Sequence, residues 1–420
     1  MGKWLKNKFV EGLIWNYGSV VILSVSGFLL NFLNIFFYDA AALGIFNRAQ
    51  AWYGILSQIT VWGVHMSIMK LIPECKDDRQ EREMILSSAF VGVLLFSVVC
   101  VVIIEAALPW VITNNRGLLT SMQMIVPALV FFSLNKVLLN YLNGLSEMKA
   151  YAFLQSLRYI VIVITILIFG ILRCDHIRLT LCFMAAEIVV FAVSVGYLIH
   201  KKLFIKKISL KYVKEHARFG TCILMSNMVT ELKTKVDIIC LGFILGNDYL
   251  IGIYSFAVLF ADGFYQLFYV VRRSINPKIT EYHVKGKLQE GIAAINANLK
   301  KYLRVLSPLA LAALGVGYYI LCCLLHQKEY LVGLQYLLII CVAIMLSGRK
   351  IILGNIFAQT GFPTCESIVN TITVISNFSL NIIFIYIWGL SGAALATAVS
   401  YIIFGCALRY YANKELKVAI

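Results

Sequence analysis

Glu231, Lys233, Lys235 and Asp237 stand close together inside an otherwise apolar stretch of the chain. A charge in a segment that hydrocarbon would surround is costly, and by default it marks a route for ions or polar substrates. Helical spacing sorts the four: Glu231 and Lys235 share one face, Lys233 and Asp237 nearly the opposite one. One pair can neutralise itself against a neighbouring helix and leave the other for a polar lumen. Asp262, alone between Ala261 and Gly263, has the chemistry of an ion or proton carrier, because a carboxyl in low dielectric can exchange a proton during a cycle. A hydrogen bond to a neighbouring helix is the plainer reading of it. Arg48 and the pair Arg349-Lys350 are further intramembrane cations. For the pair, snorkelling to the head groups is the alternative, and it is the expectation for Lys136 and Arg158, which lie near a span boundary.

No catalytic constellation accompanies these charges. There is no Walker-type phosphate loop, no GxSxG elbow and no HExxH. His176, His200, His216, His283 and His326 fall at span ends or in loops, and His65 stands alone in the second apolar segment. The 11 cysteines lack CxxC or CxxH spacing and behave as small hydrophobes. The reading is therefore a non-enzyme with no cofactor and no metal. The basic loops lack the interleaved aromatics of a nucleic-acid binder, so no nucleic acid is expected as a partner.

The elements that must position the charges are membrane helices. Hydrophobic residues make up 60% and charged residues 14% of the 420, against roughly 45–50% and about 25% in soluble domains. Twelve apolar runs are each long enough to cross a hydrocarbon core of about 30 Å. They lie near 13–37, 44–72, 84–107, 118–142, 152–172, 179–199, 219–245, 250–272, 302–325, 331–358, 366–388 and 390–409. Period-2 alternation is absent, so each is read as a helix. Of the 37 lysines and arginines, 26 fall on the side shared by the termini, 4 on the other side and 7 within spans. The positive-inside tendency places both termini in the cytoplasm. The net charge of +16 is thus a topology and anionic-lipid signal. The first run, long and without a small-residue cleavage site, reads as an uncleaved anchor.

A phrase recurs. Leu43-Gly44-Ile45-Phe46-Asn47 returns 208 residues later as Ile251-Gly252-Ile253-Tyr254-Ser255, each followed by a proline-bearing charged boundary, Ile72-Pro73-Glu74 or Asn276-Pro277-Lys278. Asn143-Gly144 is echoed at Thr360-Gly361. An even number of crossings separates the copies, which makes the repeat parallel, about an axis along the membrane normal. The expected architecture is all-α: twelve transmembrane helices in two six-helix lobes related by a parallel pseudo-two-fold repeat, with a central cavity between them. Residues 1–199 form the first lobe, 200–218 a basic cytoplasmic linker, and 219–420 the second lobe.

These residues resemble the multidrug/oligosaccharidyl-lipid/polysaccharide (MOP) superfamily of exporters, in the form of a bacterial polysaccharide or O-antigen flippase. The resemblance rests on the LGIFN–IPE pair, Asn143-Gly144-Leu145 through Met148-Lys149 and Gln155, and Asp237 with Leu241-Gly242 and Leu245-Gly246. Most specific is Trp388-Gly389-Leu390-Ser391-Gly392-Ala393-Ala394-Leu395-Ala396-Thr397, whose small residues suit close helix approach in lipid. The resemblance implies movement of an undecaprenyl-diphosphate-linked oligosaccharide (an O-antigen, capsule or related repeat unit) from the inner to the outer leaflet of the bacterial cytoplasmic (inner) membrane, by alternating access. It implies a cationic cavity for the diphosphate, with Arg48, Lys233, Lys235, Arg349 and Lys350 as candidate substrate ligands and Asp237 and Asp262 as candidate coupling groups. For Arg48 an outer-leaflet lipid contact is the alternative. Related exporters carry a basic residue where this chain has Val258 and Leu259, so any anion site is asymmetric. Partners implied are the lipid-linked substrate, membrane lipids and a glycan polymerase or other polysaccharide-assembly protein. The alternatives are a cation-coupled drug exporter of the same fold and a membrane glycan polymerase or ligase, against which the short external loops argue.

Overall fold

The computed structural model describes residues 2–75, 78–201 and 207–418, and all regular structure among them is helical. The chain divides into two compact units, Met1–Leu232 and Lys233–Ile420. The first contains α1 (Gly2–Phe37), α2 (Ala40–Val61), α3 (Val64–Glu74), α4 (Arg79–Val111), α5 (Arg116–Ile125), α6 (Ala128–Gly144), α7 (Met148–Ile171) and α8 (Leu181–His200). The division falls inside α9 (Leu210–Ile244). The second unit continues with α10 (Asp248–Val284), α11 (Leu288–Leu324), α12 (Gly333–Ile352), α13 (Ile356–Gln359) and α14 (Pro363–Tyr411).

Among the described residues, eight helices are long and apolar enough to cross a membrane, and two bent pairs, α2 with α3 and α5 with α6, would raise that to ten. The protein is a multi-pass membrane protein. Its helices bury little of themselves: in α4 only 22% of the most apolar window is covered by protein, and Val99, Val102, Ile103 and Trp110 point outward. Such a surface is stable only against lipid. The seventh expected span lies in α9, whose four clustered charges interrupt its apolar run. The eleventh and twelfth both lie in α14, which is not one straight helix. Gly389 has φ 59° and ψ −130°, a conformation open only to glycine. A Cβ on Gly392 would strike the carbonyl of Phe384, eight residues back and roughly 12 Å away in a straight helix. The chain therefore folds back here, and the small residues of the 388–397 motif form the turn.

The repeated phrase has a structural meaning. Asp39 accepts from the amide of Ala42 at 2.8 Å to cap α2, and Asn247 accepts from Leu250 at 3.2 Å to cap α10. The caps are themselves 208 residues apart, and each phrase is the second turn of the capped helix. Short polar side chains at these positions satisfy amides that have no intrahelical partner. Both phrases are buried throughout. Beyond them the copies diverge. The first helix breaks by 48° at Trp62-Gly63. There Gly63 has φ 64° and a Cβ on it would meet the backbone of Gly220 in α9, while Trp62 Nε1 donates to Thr221 Oγ1 at 3.1 Å. In the second copy α10 runs unbroken through Pro277 to Val284, so the boundary expected at that proline is not a helix end. It pairs with α11 across Lys285-Gly286-Lys287, where Gly286 has φ 69°.

Residues 202–206 of the basic stretch 200–218 lie outside the described residues. The described remainder is docked on the first unit. Ser209 and Ser88 exchange hydrogen bonds, and Tyr212 donates to Glu81. His216, 2% exposed and ahead of the seventh expected span, donates from Nε2 to the Ile85 carbonyl at 3.2 Å and accepts at Nδ1 from Ser67 at 2.9 Å. Burial pushes its pKa down from 6.5 to about 4, which the Ile85 hydrogen bond only partly opposes. The undocked segment therefore takes up the proton first. Docking is unaffected above pH 6.5 and weakens as the pH falls toward 4, by roughly 3 kcal/mol in all. Hydrogen exchange at 210–218, corrected for its intrinsic pH dependence, is expected to quicken over that window, and His216→Gln is expected to abolish the response.

Candidate functional site

Asp237 is the polar centre of the second unit. Its Oδ2 accepts from Tyr254 at 2.9 Å and from Thr397 at 2.6 Å, and its Oδ1 accepts from Asn381 Nδ2 at 2.9 Å. Asn381 Nδ2 also donates to the carbonyl of Asn377 at 3.0 Å and to that residue's Oδ1. Asn381 and Thr397 come from the two halves of α14, so the turn at Gly389 is what brings them to one carboxylate. Asn381 Oδ1 is buried without a hydrogen-bond partner, an unsatisfied acceptor beside an anion. Oxygen donors of this kind suit a small hard cation or a shared proton. Among the described residues no group of three or more His, Cys, Asp or Glu converges.

The other α9 charges are set by the faces they occupy. Lys233, four residues before Asp237, also meets α14: its ammonium donates to Asn370 Oδ1 at 3.2 Å and lies 5.4 Å from the Phe404 ring centre. The Lys233–Asp237 pairing that their spacing allows does not form, because each finds a neutral partner on α14. Lys235 is half-buried and acts electrostatically on Asp262, as Asp237 does. Asp262 itself is exposed on α10. Arg349 is exposed and Lys350 half-buried, the latter lying against Gly405 of α14. In the first unit Arg48 is half-buried in α2, directly after Asn47, whose amide donates to Asn31 at 3.4 Å.

Residues 9–283 match the family described as "Polysaccharide biosynthesis protein". The chain belongs to that family. An uncharacterized membrane protein of Methanocaldococcus jannaschii is 21% identical over 98% of this chain and 85% of its own length. Among solved structures, the lipid II flippase MurJ in an inward closed conformation superposes with a TM-score of 0.76 at 20% identity, covering 94% of this chain and 87% of that one. An inward-facing multidrug resistance transporter of the MATE family, MOP superfamily, gives 0.72 at 12% identity over 95% and 98% of the two chains. This family member thus has the helical, two-lobed fold of the MOP transporters.

A further sequence expectation is overturned. Arg158 does not snorkel. Its side chain is buried with Glu187 of α8: Nε lies 2.7 Å from Oε1, off the hydrogen-bond direction, and Nη2 donates to Oε2 at 3.1 Å. Asn135 donates to the same Oε2 at 2.7 Å and to the Glu187 carbonyl at 2.9 Å. Lys136 and Arg158 both lie over the Phe132 ring. A counter-ion on the next helix removes the reason for the guanidinium to reach the interface.

Sequence reasoning also misses residues. Asn377 and Asn381 are four apart on one helical face inside an apolar span, a legible polar stripe that a count of charges alone passes over. The hydropathy boundary puts Arg272 and Arg273 among the loop charges, yet both stand on α10, flanking the Tyr269 ring at 4.4 and 4.8 Å. Their spacing of three and four from Tyr269 is the available signal. For the first unit, Glu187→Ala strands a buried guanidinium and is expected to destabilise the family member by about 3–5 kcal/mol, while Glu187→Leu with Arg158→Met recovers most of the loss. Denaturant unfolding in mild detergent measures both.

Proposed function

We propose that the protein carries a lipid-linked oligosaccharide, joined through a diphosphate to undecaprenol, from the cytoplasmic to the outer leaflet of the bacterial inner membrane, with both termini cytoplasmic. The glycan is an O-antigen, capsule or related repeat unit, handed on to polysaccharide-assembly proteins. One observation carries this reading. In the second unit Lys233, Arg272, Arg273, Arg349 and Lys350 have no carboxylate within ion-pair distance among the described residues. Cations left uncompensated in apolar helices are costly, and an anionic cargo offsets that cost. The MATE-like fold alone would equally allow a cationic drug as cargo, but these cations would repel it. The family match and the flippase named among the similar structures support the glycan-lipid reading.

Transport needs positioning and movement of a head group, not bond chemistry. Lys233, Lys235, Arg349, Lys350 and Arg48 supply positive charge to the diphosphate, the polyprenyl tail stays in lipid, and alternating access moves the head group. Asp237 and Asp262 couple the cycle to an ion. The oxygen cluster around Asp237 supports its part, and Asp262 is a second carboxylate on which Asp237 acts.

Proteoliposomes carrying labelled lipid-linked oligosaccharide test the reading. Protein-dependent inside-to-outside movement is expected; its absence, with export of a cationic dye instead, would favour the drug-exporter alternative. The double variant Lys233→Gln/Lys235→Gln is expected to slow movement tenfold or more at unchanged expression. Asp237→Asn is expected to keep substrate binding while removing the dependence of movement on an imposed sodium or proton gradient. Retention of that dependence in Asp237→Asn would take Asp237 out of the coupling step.

A further inference from the structure

Three cations that are remote in sequence meet in the second unit. Phe404 and Gly405, adjacent on α14, are the common neighbours around which they lie. Lys233 of α9 lies over the Phe404 ring at 5.4 Å. A Cβ added to Gly354, just after α12, would lie 3.2 Å from Cζ of Phe404 and 3.1 Å from Nη1 of Arg272 on α10. A Cβ added to Gly405 would lie 3.1 Å from the ammonium of Lys350 on α12. Two glycines therefore leave the room that a guanidinium and an ammonium occupy. The charges of Lys233 and Arg272 act on one another. Glu366 acts on both Lys233 and Arg272 but pairs with neither; its Oε2 accepts from the amide of Ala358 at 3.0 Å.

Like charges are not gathered this way for stability. Packing alone would separate them or bring a carboxylate into contact, as it does at Arg158 and Glu187. Arg272 carries a further sign of vacancy in its hydrogen bonding: its Nε is buried and has no partner. The guanidinium lies 4.4 Å over the Tyr269 ring, a contact that restrains it ahead of bidentate recognition of a phosphate. Lys233 and Lys350 add point charges from two other helices. By the distribution of lysine and arginine, this end of α10 and α12 belongs to the cytoplasmic side.

We propose that Arg272, Lys233 and Lys350 form a single site for a lipid-borne diphosphate, entered from the cytoplasmic leaflet, in which Arg272 is the bidentate ligand and Gly354 and Gly405 are kept small to seat the cations. The site rests on the flippase reading for its substrate and identifies where in the second unit the head group is first held. A phospholipid phosphate shares part of this chemistry; two linked phosphates reach three cations on three helices better than one does.

The test uses the full chain in phosphatidylcholine nanodiscs, with tritiated undecaprenyl diphosphate as probe. Wild type is expected to bind it, and inorganic pyrophosphate to displace it more strongly than inorganic phosphate. Arg272→Gln and Lys350→Gln are each expected to weaken binding tenfold or more, and Lys287→Gln, at the exposed α10–α11 turn, to leave it unchanged. Arg272→Lys keeps the charge but not the fork, so it should lose the preference for pyrophosphate over phosphate. If Arg272→Gln does not fold, Lys350→Gln decides. Wild-type affinity in both glutamine variants overturns the site. So does displacement of the probe by phosphatidylglycerol as effectively as by unlabelled undecaprenyl diphosphate, which would make the cluster a phospholipid contact. Flipping of lipid-linked oligosaccharide is measured on the same preparations. Flipping unaffected in the variants overturns the site and leaves the flippase reading standing. Probe binding lost in the variants, with no flipping by wild type, supports the site and removes the flippase reading.

Discussion

Charge is expensive in a segment built to lie in hydrocarbon, and the structure answers that constraint in three ways. Arg158 is given a counter-ion, Glu187, and the pair is closed by Asn135. Asp237 has no cation in contact among the described residues; three neutral donors surround its carboxylate. Lys233, Arg272 and Lys350 have no carboxylate within ion-pair distance among the described residues. The first solution is a static one, because removing either member strands a buried charge. The second and third leave room for an ion or an anion to arrive and depart. Both depend on α14 folding back at Gly389, since Asn370 and Asn381 precede the turn and Thr397, Phe404 and Gly405 come after it.

The internal repeat shows what duplication preserves. The Asx caps at Asp39 and Asn247 and the buried second turns behind them are kept at a constant offset. The next residues along each helix are not kept. Arg48 comes directly after the first phrase, and its counterpart Phe256 sits among Phe260, Tyr318 and Tyr330 with ring centres 5.1–5.4 Å apart. A position that bears charge in one unit is the middle of an aromatic core in the other. The scaffold is repeated while the chemistry is reassigned.

Much of this is legible in the chain itself. Composition dictates helices in lipid, because no other spanning structure without period-2 alternation satisfies the backbone from within. The 388–397 motif marks the turn in α14, and Asp237 stands out as a charge in an apolar run. Partners across space are not legible. Nothing local to Arg158 names Glu187, on the next helix, and nothing local to Lys233 names Asn370. Hydropathy windows end a span where charge begins, so they leave Arg272 in a loop although α10 runs on for several more turns. Neutral amides such as Asn381 are missed for a different reason: their importance comes from the carboxylate they face.

The continuous α10 and its neighbour α11, each of 37 residues, are about 55 Å long at 1.5 Å per residue, against a hydrocarbon thickness of roughly 30 Å. In the sequence the apolar run of α11 begins only near residue 302, after its lysine pair. The turn at Gly286 therefore tops a helical hairpin that stands clear of the bilayer, cinched where Tyr282 lies against Gly291. A 47.2 kDa protein sunk in a micelle offers an imaging experiment almost nothing to align on. This hairpin is a stiff post on which a soluble fiducial domain can be grafted through two continuous helices.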